Sequence, residues 1–105
     1  MLGPARRVEL HSILQGLLPS GKKAYFQPPE NLKMDYPVIV YQRDFVDIHY
    51  ADNNPYRHMT RYQVTVIDQD PDSEIPSKIA MLQYAAYNRF FVANNLNHDV
   101  FTLYF

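Results

Sequence analysis

The sequence predicts an α+β fold, in which a mostly antiparallel sheet made of two hairpins packs against two helices on one side. Two segments with apolar residues at the helical period alternate with two segments that have strand-like patterns. The predicted order is therefore helix, strand, strand, helix, strand, strand, and strands grouped in this way are typical of the α+β class. A chain of 105 residues is long enough for one domain, so we expect residues 1–105 to fold as a single unit.

The first predicted element is an amphipathic helix over residues 5–18. Its apolar residues recur near the helical period, and its other face carries arginine, glutamate and glutamine. The segment PSG at residues 19–21 ends the helix, because proline and glycine disfavour its continuation. Residues 19–36 form a proline-rich connector, which we expect to run extended because prolines cannot donate to a helix or a ladder.

A long β-hairpin is predicted over residues 38–67. Its first strand begins with the apolar run VIVYQ, and both strands then alternate between apolar and polar residues. The segment ADNNP, residues 51–55, is the turn between them. If the turn centres on Asn53, the predicted cross-strand pairs are Ile48 with His58, Tyr50 with Tyr56 and Phe45 with Arg61, and Asp47 is diagonal to Arg57 and Arg61.

A second helix is predicted to begin at Asp72 or Ser73, either of which can cap it, and to end near Asn88. Pro76 falls in its first turn, where the missing N–H does no harm. The apolar stripe of this helix consists of Ile75, Ile79, Leu82 and Ala86.

The last predicted hairpin joins a short strand, RFFVA at residues 89–93, to a C-terminal strand, VFTLYF at residues 100–105. The segment NNLNHD between them is the predicted turn. Because the C-terminal strand has apolar side chains on both faces, we expect both of its faces to be covered.

Composition excludes several kinds of site. Ten lysines and arginines oppose eleven acidic residues, so the chain lacks the basic excess of proteins that bind nucleic acid by bulk electrostatics. The absence of cysteine excludes a disulfide, a thiolate metal site and a cysteine nucleophile. The apolar runs are too short for a transmembrane helix, and we expect a soluble intracellular product.

An acidic segment, DQDPDSE at residues 68–74, resembles the start of a calcium-binding loop. Ser73 and Ile79 stand where such a loop needs glycine and glutamate. We therefore interpret the segment as a strand-to-helix turn with acidic capping.

The remaining polar patterns do not predict an active site. The four histidines have no metal-binding spacing, and the serines and glycines form no nucleophile or phosphate-loop motif. Arg43, Arg57 and Arg61 with nearby tyrosines could form a platform for single-stranded nucleic acid. Asp44 and Asp47 balance that charge, which favours an ordinary solvated sheet face. We predict no catalytic residue, no metal ligand and no cofactor, and we expect that the chain is not an enzyme.

The aromatic content is high for so small a core, with nine tyrosines and six phenylalanines. We expect a core group, a second group on the connector and a third on the long hairpin. This distribution indicates one core and at least one protein–protein surface. The core group is Phe90, Phe101, Phe105, Tyr62 and Tyr104; the connector carries Tyr25, Phe26 and Tyr36; the hairpin carries Phe45, Tyr50 and Tyr56.

Four stretches of the sequence resemble one known family over residues 8–105. They are PENLKMDYPVIVYQRD, YADNNPY, YQVTVIDQDPDSEIPSKIAML and RFFVANNLNHDVFTLYF. These stretches are similar to the small tail-terminator or tail-completion proteins of long-tailed bacteriophages that infect Gram-positive hosts. Such proteins are also described as head–tail joining or minor capsid proteins, and the predicted order of elements agrees with their α+β fold.

The resemblance implies a structural virion protein. Family members form a homo-hexameric ring at the head-proximal end of the tail tube, where the ring ends tube polymerisation. The implied partners are the tail tube protein and the head-closure proteins of the neck, and the genome passes through the ring without sequence-specific binding. The protein would be made in the host cytoplasm and reside in the virion, with no membrane or small-molecule partner.

A closed ring needs two different patches that meet on neighbouring subunits. We expect the long hairpin to supply subunit or neck contacts, because tyrosine and arginine are enriched at interfaces. A head-closure or adaptor subunit of the same neck is the nearest alternative, and a monomeric ligand- or RNA-binding module is a distant one. The predicted interface residues are Phe45, Tyr50, Asp52, Asn53, Asn54, Pro55, Tyr56, Arg57, Met59 and Arg61.

Overall fold

The computed structural model describes the backbone of residues 4–51 and 54–105 and the side chains of residues 6–44 and 60–105. The fold is α+β, as predicted, and its sheet has the strand order β1-β2-β3-β5-β4. All neighbouring strands are antiparallel except β1 and β2, which are parallel. In chain order the elements are α1 (Pro4–Gly16), β1 (Ala24–Phe26), β2 (Val38–Ala51), β3 (Asn54–Asp68), α2 (Ile75–Ala80), β4 (Ala85–Ala93) and β5 (Leu96–Tyr104).

The predicted element order lacked one strand. The connector contains β1, which pairs in parallel with residues 39–41 of β2, so the sheet is mixed and not two hairpins alone. The Gln15 side chain holds β1 in place: its Nε2 donates to the Lys22 carbonyl at 2.6 Å and its Oε1 accepts from the Ala24 N–H at 3.0 Å. Gly21, with φ of 85°, makes the turn between α1 and β1 in a conformation that glycine adopts without strain.

The long hairpin agrees closely with its prediction. Ile48 pairs with His58 and Phe45 pairs with Arg61, as expected. Tyr50 pairs with Pro55, so the prediction of Tyr56 as its partner was wrong. The register shifts by one residue between His49 and Tyr50, a local irregularity of the kind that a bulge produces near a strand end.

The second helix is much shorter than predicted. It ends at Ala80, and Tyr84 has φ of 65°, which is incompatible with a helix. Residues 85–87 belong to β4 because they pair with β5, and this pairing overrides their local helix preference; Asn88 lies in the register shift that follows. The helix cap is Glu74 without a side-chain hydrogen bond, although the Ser73 Oγ accepts from the Ile75 N–H at 3.3 Å.

The last hairpin is longer than predicted on both sides. Its turn consists of Asn94 and Asn95 alone, with φ of 54° and 61°, a pair of left-handed residues that fits a two-residue hairpin. Asparagine tolerates this conformation better than most residues. The C-terminal strand lies between β3 and β4, and Val100, Phe101 and Leu103 are fully buried in it.

The core lies between one face of the sheet and both helices. Residues opposite each other in β2, β3 and β5 share this face, and α1 and α2 cover it. Ala86, predicted on the apolar stripe of α2, lies instead on β4 and is exposed. The core residues are Leu10, Leu14, Ala24, Ile39, Tyr41, Tyr62, Val64, Val66, Ile75, Ile79, Phe101 and Leu103.

The long hairpin extends beyond the rest of the sheet. β1 pairs with β2 only through residue 41, and β5 pairs with β3 only from residue 61 onward. We call residues 44–51 and 54–59 the ribbon, because in the described part of the chain no third strand pairs with either range. The principal extents are 51 × 23 × 22 Å, and the radius of gyration of 14.7 Å exceeds the about 13 Å expected of a compact chain of this length.

Candidate protein-interaction surface

Arg61 is the one predicted interface residue whose side chain the structure describes. It lies at the base of the ribbon, and its Nε donates to Asp44 Oδ1 at 2.8 Å. Hydrogen bonds to Asp44 and to Tyr104 raise the pKa of Arg61. Arg61 therefore forms its ion pair with Asp44 of the same subunit.

The other predicted interface residues stay predictions. Asp52 and Asn53 lie outside the described residues. The remaining seven occupy β2 and β3, but their side chains lie outside the described part of the chain. They are Phe45, Tyr50, Asn54, Pro55, Tyr56, Arg57 and Met59.

A different region presents most of the exposed large apolar side chains that the structure describes. β4 is an edge strand, and every residue between its two ends is exposed. We call this region the apolar edge, and it includes the end of α2 and the residue before β4. Its members are Met81 (86% exposed), Tyr84 (61%), Tyr87 (54%), Phe90 (51%), Phe91 (38%) and Val92 (59%).

Phe90 corrects the predicted division of the aromatic residues. The sequence suggested a core position, but half of the side chain is exposed. Phe90 pairs with Asp99 near the hairpin turn, beyond the part of the sheet that the helices cover. The RFFVA pattern is apolar on both faces, which is typical of a strand in the middle of a sheet, yet this strand is at the margin.

Edge strands of monomeric proteins are usually protected by lysine, proline or charged side chains that face inward. β4 has no lysine and no proline, and Arg89 is its single charged residue. The register shift between Tyr87 and Arg89 is its one local protection. An apolar strand of nine residues with so little protection is suited to pairing with another chain.

Contacts within the subunit hold the aromatic rings of the apolar edge in place. Tyr87 packs edge-on against Phe101, with ring centroids 5.2 Å apart, and its hydroxyl donates to Asp99 at 2.9 Å. Partial desolvation, and then this hydrogen bond, raise the pKa of Tyr87. Phe91 stacks on His98 at 4.5 Å, and the Arg89 guanidinium lies 5.3 Å from the Phe91 ring. Rings that are already ordered lose little entropy on binding.

A cavity of about 290 Å³ lies beside the apolar edge. It is formed by α1, the segment between α2 and β4, and the C-terminus. Arg6 is its charged residue, and the guanidinium lies 4.3 Å above the Phe105 ring. The lining side chains include no histidine, aspartate, glutamate, serine or cysteine. The one hydroxyl among them belongs to Tyr84, and a phenol transfers protons near neutral pH only when its surroundings perturb it strongly.

The acidic segment forms an open groove between α1 and α2. Asp68 Oδ1 accepts from the Asp70 N–H at 3.1 Å, and Asp70 Oδ1 accepts from the Asp72 N–H at 2.9 Å. These are local turns of the kind that aspartate commonly forms. No metal-binding cluster of histidine and carboxylate groups occurs among the residues that the structure describes.

His11 and Tyr41 form a polar pair within the core. The Tyr41 hydroxyl lies 2.8 Å from His11 Nδ1, and the Tyr41 side chain is fully buried. Burial raises the pKa of Tyr41, although a hydrogen bond with Arg7 opposes the shift. Arg7 also lies 4.6 Å above the Phe26 ring, which ties α1 to β1. The group therefore anchors the first helix to the sheet.

No protein-family model matches the sequence, and no curated protein matches it significantly. Within the described residues, neither helix is long and apolar enough to cross a bilayer.

Proposed function

We propose that the chain is a structural virion protein that assembles into a ring at the head-proximal end of a phage tail. The ring ends polymerisation of the tail tube and joins the tail to the head, with the genome passing through its lumen. The resemblance of four stretches of the sequence to tail-terminator proteins supports the phage context. The fold is α+β, as that resemblance implies.

One structural observation carries the proposal: the subunit has two separate regions in which a strand lacks a neighbour on one side within the described part of the chain. The apolar edge is at one margin of the sheet, and the ribbon projects from β2 and β3, which β5 separates from β4. A ring requires a heterologous interface between two different patches. A subunit with two different regions for association can form such a heterologous interface. A two-fold dimer needs only one region, because each subunit contributes the same patch.

Enzymatic activity is not proposed. Two concave features of the described residues are a mostly apolar cavity without histidine, aspartate or glutamate side chains and an acidic groove whose aspartates form local turns. A function in assembly needs no such groups, because it depends on surface complementarity.

Deletion of the gene in the phage that encodes it tests the proposal. We expect full heads and unattached tails of irregular length, and expression of the wild-type chain in trans should restore joined virions. Normal plating of the deletion phage would contradict the proposal.

The same phage separates the terminator from a head-closure or adaptor subunit. Tails purified from a head-defective mutant should carry the chain if it is a terminator. Heads purified from a tail-defective mutant should carry it if it is a head-closure subunit, and this result would favour the alternative.

A further inference from the structure

We propose that the outer edge of β4 is the docking site for a second copy of this chain, which contributes the β2 side of its ribbon. The two strands would form a sheet that continues from one subunit to the next. This inference deepens the proposed function by naming the contact between subunits. The inference rests on the proposed function only in assuming that the subunits assemble on a phage tail.

Among the described residues, β4 has a strand on only one of its two hydrogen-bonding sides. β5 occupies one side of β4, and no strand among the described residues occupies the other. The backbone groups on that side are therefore available to a strand from outside. The six large side chains of the apolar edge would flank such a strand, and they present on the order of 600 Å², since a large aromatic side chain has about 150–250 Å².

The ribbon of a second copy contains a strand that could pair with β4. A two-stranded ribbon is marginally stable in water, and strand addition would stabilise it. Residues 44–51 of β2 have no strand on their outer side in the described part of the chain. This segment of eight residues is close in length to β4, which has nine.

Charge favours the β2 side of the ribbon over its β3 side. Arg89 is the charged residue of β4, whereas residues 44–51 contain Asp47 and no basic residue apart from histidine, and their other acidic residue, Asp44, is already bonded to Arg61. Opposite charges on adjacent strands favour pairing and like charges disfavour it. The β3 side of the ribbon, residues 54–59, instead carries Arg57, and its Pro55 lacks an N–H for the ladder.

Charge also disfavours a dimer that pairs β4 with β4. Arg89 is the central residue of this nine-residue strand. A two-fold antiparallel pairing centred on the strand would place Arg89 opposite its own copy, and such pairs are destabilising. The favoured contact is therefore heterologous, and a heterologous contact generates a ring or a filament.

Cross-linking between single cysteines tests the contact directly, because the native chain has none. Asn88→Cys marks β4, and Gln42→Cys and Ala51→Cys mark the two ends of the relevant part of β2. Differently tagged variants are mixed, as free protein at millimolar concentration and within tails, and treated with a short bismaleimide. Ser77→Cys, at an exposed position on α2, is the matched control for the partner position.

We expect Asn88→Cys to link to one end of β2 at least about tenfold more than to Ser77→Cys, which corresponds to about 1.4 kcal/mol. The preferred end also gives the relative direction of the strands. Dominant links between two Asn88→Cys copies would replace the proposal with a two-fold dimer. Links no stronger than the Ser77→Cys control, in both samples, would overturn it.

A matched pair of lysine substitutions gives a second test. Val92 on β4 and Val8 on α1 are similarly exposed, at 59% and 53%. Val92→Lys should reduce association at least about tenfold, because an edge lysine opposes strand addition, while Val8→Lys should not. Circular dichroism checks that both variants are folded. Equal association of the two variants would contradict the proposal.

Failure of this inference and failure of the proposed function are distinguishable. Tails that carry the chain without β4–β2 cross-links would overturn the contact and leave the function intact. Cross-links in the free protein, combined with normal plating of the deletion phage, would retain the contact and overturn the function.

Discussion

The two hairpins of this sheet contain similar residues but bury them very differently. In the first, Tyr41 and Val64 are fully buried where β2 and β3 pass under the helices. In the second, β5 is buried while Phe90 and Val92 of its partner β4 are half exposed or more. The difference follows from the sheet order, because β5 lies between two strands and β4 has only one neighbour. An apolar strand in the middle of the sheet is therefore part of the core, whereas an apolar strand at the edge exposes a surface that can associate with another chain.

The largest expected difference separates two phenylalanines on the same face of the second hairpin. Phe101→Ala should lower the free energy of unfolding by about 3–5 kcal/mol, because Phe101 is fully buried. Phe90→Ala should change it by less than about 1 kcal/mol, because half of its side chain is already in water. Urea denaturation of the two variants measures both values. Similar losses would mean that β4 is covered in the free protein.

A smaller effect is expected from tyrosine hydroxyls in the two regions. Tyr41→Phe removes the hydrogen bond to His11 in the buried hairpin and should cost about 0.5–1.5 kcal/mol. Tyr87→Phe removes a hydrogen bond to Asp99 at the exposed edge, where water can replace it, and should cost less. Thermal or urea unfolding of both variants tests the order. A greater loss for Tyr87→Phe would contradict the assignment of the buried anchor.

The ion pair at the base of the ribbon should have a still smaller effect. Asp44→Asn weakens its contact with Arg61, and both side chains are about a third exposed, so solvent screens the interaction. We expect a loss below that of Tyr41→Phe, and the loss should diminish at high salt. Unfolding experiments at low and high ionic strength measure it. A loss that is independent of salt would indicate a packing effect instead.

The smallest change is expected at the turn of the second hairpin. Asn95 has φ of 61°, where glycine is favoured. Asn95→Gly creates the Asn-Gly pair preferred in two-residue hairpin turns and should stabilise the protein by a few tenths of a kcal/mol. Asn95→Ala, a matched substitution with a Cβ, should destabilise it. Thermal unfolding of the two variants should therefore show shifts in opposite directions, and shifts of the same sign would contradict the turn geometry.

The sequence predicted the parts of the fold that depend on long local patterns. The first helix and the long hairpin were predicted because their periodicities extend over many residues. β1 was missed because three residues carry no periodicity, and its pairing with β2 is set by contacts distant in sequence. The start of β4 was assigned to a helix because residues 85–87 lack a strand pattern, and only their pairing with β5 makes them a strand.

The existence of a protein–protein surface was a prediction from the sequence, but the position of the apolar edge on β4 was not predicted. The number of aromatic residues indicated a protein–protein surface, but Phe90 was assigned to the core. The composition of RFFVA was visible in the sequence, including the absence of lysine and proline. Its position at the margin of the sheet was not visible, because strand order depends on pairing between distant segments. The hairpin contacts at residues 45–59 remain predictions.

Hydrogen exchange at β4 tests the central claim most directly, because alternate backbone amides of an edge strand point away from its single neighbour. In the free protein these outward amides should exchange quickly, and those paired with β5 slowly. On assembly into tails, the outward amides of residues 85–93 should slow at least about tenfold as a neighbouring strand pairs with them. Unchanged exchange along β4 in the assembled particle, with protection appearing elsewhere, would contradict the account.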